Sequence, residues 1–191
     1  GRSVQTFMLS SCLPIPKLLN HSQSRQAQCP AFNARVQSYI LANDSIEYVV
    51  LFATWDNYIL HRGHPDMLGF VPDDDFYAYP EGGDPSMPNV DRLISIKSAF
   101  EELVSSLIAA GKTVILVHSL PRPNIDIPRF FARQAWTGSA IPENSGYPIA
   151  YAKNQFAESR QILGVLGDKG VTGSFITVDP ANTFCDEMQC F

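Results

Sequence analysis

Three groups of residues have types and spacing suited to chemistry. Trp55, Asp56 and Asn57 follow a strongly apolar run, and His118 closes another. Ligand sites in open α/β sheets lie beyond the carboxyl ends of strands, so these four residues stand where a site belongs. For His118 the plainer role is a buried, hydrogen-bonded structural histidine. Ser10 and Ser11 end a shorter apolar segment. A serine nucleophile needs an adjacent base and oxyanion donors, whereas a serine ahead of a cysteine loop also serves simply to cap a turn. His61, His64 and Asp66 are ligand types close in sequence, but Pro65 breaks the helical spacing that would align the two imidazoles. Asp73, Asp74 and Asp75 lack the spacing of a calcium loop and read as a solvated turn. No metal and no other cofactor is expected.

Cys12 and Cys29 stand near one end of the chain, and Cys185 and Cys190 near the other. Four cysteines allow three connectivities. Closure over the shortest path favours Cys12–Cys29 and Cys185–Cys190, each contributing about 2–3 kcal/mol. Four buried thiols or a zinc site are the alternatives, and only the second pair approaches zinc-knuckle spacing. Disulfides place the chain in an oxidising compartment.

The elements that must position these residues are those of one domain. The chain has 191 residues, 45% of them apolar, and a net charge of -5. Only 14 residues are Lys or Arg and they do not cluster, which excludes a phosphate-backbone partner and hence nucleic acid. No apolar run reaches the roughly 18 residues that span a bilayer. The opening GRSVQTFMLSS lacks the charged and apolar regions of a signal peptide. The expectation is a chain whose leader has been removed or a piece of a longer protein.

Residues 4–10 read as a short strand, broken by Pro14 and Pro16. Residues 17–29 read as a polar loop and 31–43 as a helix. Residues 46–55 form a nearly continuous apolar run that fits a parallel strand covered on both faces. A long insertion spans 56–90, and a loop of that length usually covers or lines something. Leu93, Ile96, Phe100, Leu103 and Leu107 repeat at helical spacing, predicting a helix over 90–110 that ends at Gly111. Then come a strand buried on both faces over 113–119, a proline-locked loop over 120–128, a helix over 149–166 and a strand over 174–180. This alternation predicts an α/β fold with a mostly parallel sheet between helices. Trp55, His118 and Asp179 should then leave the same edge of the sheet, where the long loops converge.

Four stretches carry a resemblance to a known family: SSCLPI with a second cysteine after a polar loop; VVLFATW; a helix, Gly-Lys and a strand leading to PRPNIDIPRFFAR; and VDPANTFCDEMQC. Together they make the chain resemble the periplasmic SGNH-hydrolase-like domain fused to bacterial membrane acyltransferases of the acyltransferase 3 family. The resemblance implies a flavodoxin-like three-layer α/β/α fold and acyl transfer to a hydroxyl of cell-surface polysaccharide, outside the inner membrane. It implies two partners, the membrane acyltransferase domain of the same protein and the glycan. It makes Asn57 an oxyanion-hole candidate, though displaced from the usual Gly-x-Asn pattern, and puts Trp55 and Asp56 at a sugar site. It also implies a Gly-Asp-Ser nucleophile block and an Asp-x-x-His block, and neither motif occurs among the 191 residues. The expectation is a single SGNH-like domain over 1–191 that lacks its native first strand with the nucleophile, and its Asp-x-x-His block. Two other functions fit the residues: a non-catalytic periplasmic domain that binds glycan or docks on a membrane partner, and a secreted serine esterase.

Overall fold

The computed structural model describes residues 3–10, 12–20, 28–59, 77–121, 127–139, 147–164 and 174–190. In chain order these form β1 (Leu18–Asn20), α1 (Gln28–Leu41), β2 (Tyr48–Phe52), α2 (Trp55–Ile59) and β3 (Ala78–Pro80). There follow α3 (Asn89–Ala109), β4 (Thr113–Val117), α4 (Ile127–Thr137), β5 (Tyr147–Pro148) and α5 (Ile149–Leu163). The last elements are β6 (Phe175–Val178), α6 (Ala181–Phe184) and β7 (Gln189–Cys190). Among the described residues no helix is long and apolar enough to cross a membrane.

The organising sheet is β2–β4–β6, parallel throughout, with Tyr48 opposite Thr113 and Val114 opposite Phe175. Two small antiparallel pairs, β1–β3 and β5–β7, complete a mixed α/β fold. Val49, Leu51, Val114 and Leu116 point to one face, where they join Ile40 of α1, Ile96, Phe100 and Leu107 of α3, and Leu163 of α5 in one buried cluster. The opposite face differs from the sequence expectation. Tyr48, Val50, Phe52, Ile176 and Val178 lie there and are 42% to 59% exposed. The reason is positional: α1, α3 and α5 all serve the first face, and β2 and β6 are the outer strands of the described sheet. The expected coverage of β2 on both faces does not hold among the described residues.

Local chemistry explains the element boundaries. The helix α3 ends in a Schellman motif: Lys112 N–H donates to Leu107 O at 3.0 Å and Gly111 N–H to Ile108 O at 2.9 Å. This closure needs a left-handed residue, and Gly111 has φ +77°. Lys112 then reaches across to donate its Nζ to Asn43 O at 2.8 Å, and the chain enters β4.

Other boundaries depart from expectation. Residues 3–9 form no strand; no neighbouring strand pairs with them, and Val4 and Met8 are exposed. This segment touches α1 through Phe7, whose ring meets Tyr39 at 5.4 Å. Within the expected loop 17–29, β1 forms and α1 begins early. Pro30 sits in the first turn of α1, where a missing N–H costs nothing. The same holds for Pro128, so α4 takes in the last two residues of the expected loop 120–128. The insertion 56–90 is not structureless either: α2 and β3 lie in its described parts.

Candidate functional site

Because the three strands run parallel, Trp55, His118 and Asp179 leave the sheet at one edge. Trp55 opens α2, just after β2. Its side chain is fully buried, its Nε1–H donates to Val117 O at 2.8 Å, and its ring meets Phe100 edge-on at 6.2 Å. The indole thus ties β2 to the end of β4. A ring with no exposed surface offers no stacking face, so in this structure Trp55 is a core residue rather than a wall of a sugar site. Asp56 is buried beside it, whereas Asn57 is exposed on the first turn of α2, its N–H held by Thr54 O at 3.1 Å.

Next to them lies a polar group that the sequence did not announce. Arg160, from the last turn of α5, donates Nη2–H to Asp179 Oδ1 at 2.8 Å. The same carboxylate oxygen accepts Ala181 N–H at 3.0 Å, fixing the exit from β6. The Arg160 guanidinium also lies over the Phe156 ring at 5.8 Å. His118 is buried between these groups, with its backbone N–H on Val178 O at 3.0 Å. Burial pushes the His118 pKa below the ordinary imidazole value; the charge of Arg160 lowers it further, and Asp179 opposes the shift. The imidazole is accordingly neutral at neutral pH. Ser119 follows it, and its buried Oγ has no hydrogen-bond partner among the described residues; neither has the buried Nε of Arg160. Two polar atoms left unsatisfied at one sheet edge suit a polar ligand or water. Arg160 and Ser119 escaped sequence reasoning because no local pattern marks them; a basic residue in a last helical turn is common at any helix end.

Among the described residues no group of three or more His, Cys, Asp and Glu could hold a metal. His61, His64, Asp66 and Asp73 to Asp75 lie outside the described residues, as does Ser11. Ser10 is an exposed turn residue ahead of the Cys12–Cys29 disulfide. The second disulfide joins Cys185 to Cys190 and packs with Phe156 of α5.

The family described as SGNH domain (fused to AT3 domains) matches residues 1–191. The chain belongs to this family. The mixed α/β architecture, with a parallel sheet and flanking helices, is consistent with an SGNH-type fold. The AT3 fusion agrees with an acyltransferase partner and with a role in acyl transfer. No curated protein and no solved structure matches the chain.

Proposed function

We propose that this SGNH domain is the periplasmic acyl-handling part of a membrane O-acyltransferase, and that it serves transfer of an acyl group to a hydroxyl of cell-surface polysaccharide. The observation that carries this is the family match over the whole chain, which brings the AT3 partner with it. The edge that gathers Asn57, His118, Ser119, Arg160 and Asp179 supports a location for the acceptor. There Asn57 is the exposed amide able to donate to a developing oxyanion. This reading also requires a nucleophile and a base, and no Gly-Asp-Ser or Asp-x-x-His motif supplies them among the 191 residues.

The test uses the parent acyltransferase in cells, with O-acyl groups on the extracted polysaccharide counted by NMR. Asn57→Ala removes one oxyanion donor and is expected to lower transfer roughly 100- to 1000-fold. Unchanged acylation would remove Asn57 from the machinery. The absence of both catalytic motifs favours a second reading, a domain that only binds glycan or docks. Under it Asn57→Ala leaves acylation intact while deletion of the domain abolishes it.

A further inference from the structure

We propose that His118 takes the proton from an uncharged sugar hydroxyl during acyl transfer, so that the domain itself contributes a base. The inference deepens the proposed function and rests on it. Position comes first. Val114 and Leu116 of β4 face the helices, and side chains alternate along a strand, so His118 continues on that side just past the carboxyl end of β4. Phe175 of β6 joins the same buried cluster, and the same alternation brings Asp179 to that side. Arg160 arrives there from α5, whose Ile162 and Leu163 belong to the cluster. The Trp55 Nε1–H on Val117 O places the start of α2, the helix of Asn57, beside the same strand end. The base and the oxyanion candidate thus stand at one edge of the sheet, where a reacting carbonyl and hydroxyl have to meet.

Charge decides what the edge can hold. Arg160 and Asp179 compensate each other through their bond at 2.8 Å, and both act on His118. Asp56 is the titratable residue that the start of α2 brings to this edge. Burial and the Arg160 charge keep the imidazole unprotonated, the form that accepts a proton. Two polar atoms nearby have no hydrogen-bond partner among the described residues: the Nε of Arg160, and the Oγ of Ser119, which follows His118 and is 3% exposed. Sugar hydroxyls both donate and accept, so they satisfy either atom. A carboxylate-bearing sugar would bring a second negative charge to a guanidinium already paired with Asp179. In the step itself, the acyl donor is an ester or thioester delivered by the membrane partner. The acceptor oxygen forms its bond to the acyl carbon while its proton passes to the imidazole. The bond from the acyl carbon to its carrier then breaks, and the imidazolium returns the proton to the departing oxygen or sulfur.

The test uses the parent acyltransferase in cells, with O-acyl groups on the polysaccharide counted by NMR and the amount of each variant measured by immunoblot. His118→Gln keeps size and polarity but not the base, and is expected to lower transfer about 100-fold or more at unchanged protein level. A pH series from about 5 to 8 gives the second readout. Transfer by the parent should fall on the acid side as His118 takes up its proton. Arg160→Gln removes the cation that opposes this protonation, so the acid limb should move to higher pH. A residue that only packs would move no limb. Unchanged acylation in His118→Gln, or a limb that stays in place in Arg160→Gln, overturns the proposal. Should His118→Gln fail to accumulate, the limb in Arg160→Gln decides. Deletion of the domain separates the two readings. If deletion abolishes acylation and His118→Gln keeps it, the proposed function stands and this inference falls, whereas acylation that survives deletion ends both.

Discussion

His118 gives the site a pH signature. Its folded pKa lies below the ordinary value because burial and Arg160 both disfavour the imidazolium. The unfolded chain therefore binds a proton from about pH 6.5 downward while the folded chain does not. The stability this histidine contributes is whole above about pH 6.5 and is lost as pH falls from there through the lower folded value. Urea unfolding between neutral pH and pH 5 should show this loss, and His118→Gln should flatten it. Equal slopes for both proteins would mean that His118 is not held neutral. Arg92 is a different case, a buried cation that lies among carbonyls. It donates to Ala78 O at 2.9 Å, to Tyr58 O at 3.3 Å and to Ile59 O, and it meets Asn89 Oδ1 at 2.7 Å. Burial lowers its pKa. Arg92→Met strands these carbonyls and should cost about 3 kcal/mol or more in a denaturant titration. Arg92→Lys should recover only part, since an ammonium cannot reproduce the planar fork.

Among the elements, β2 provides the cleanest contrast. Val49 faces the helices and is buried; Val50 faces outward and is 59% exposed. Val49→Asp puts a carboxylate into the core and should cost about 3–5 kcal/mol or prevent folding. Val50→Asp should stay within about 1 kcal/mol of the parent. Comparable losses in thermal melts would mean that the outward face is covered in solution. The elements also differ in how legible they were. The helix α3 was written in its spacing of Leu93, Ile96, Phe100, Leu103 and Leu107 and in Gly111, because amphipathic period and a left-handed stop are local properties. The prolines misled, since Pro30 and Pro128 are as compatible with a first helical turn as with a loop. Residues 4–10 carry strand-forming side chains, but a strand exists only where a partner pairs with it. The apolar run of β2 could not say that its two faces would be treated differently, because coverage is decided by where α1, α3 and α5 land.

At the scale of the molecule, the sequence pointed to the sheet edge and to Asn57, His118 and Asp179 there, but not to Arg160 and Ser119. Asp179 and Arg160 meet from separate elements, and the pair exists only once α5 packs beside β6. Trp55 shows the opposite error of scale: a residue placed by its neighbours in sequence at a ligand edge is held by Phe100 and Val117 inside the core. The 191-residue chain, with no Gly-Asp-Ser and no Asp-x-x-His, should not hydrolyse para-nitrophenyl acetate above the buffer rate. Turnover abolished by Ser10→Ala would revive the secreted-esterase function.

The strand order has a consequence for biogenesis. Both disulfides are local, with sequence separations of 17 and 5, and neither connects strands of the main sheet. The sheet is instead joined by contacts such as Tyr48 with Thr113 and Val114 with Phe175, which close long loops and form slowly. During synthesis from the N-terminus, β4 can pair with β2 as soon as Val117 has emerged, but its other edge waits for Val178. Throughout that interval the growing chain presents an open, valine- and leucine-rich strand edge, the feature by which nascent chains adhere to one another. The interval before β6 is complete is thus a hazardous one for this domain, and a holdase that shields β4 until β6 arrives would protect it more than early oxidation of either cysteine pair.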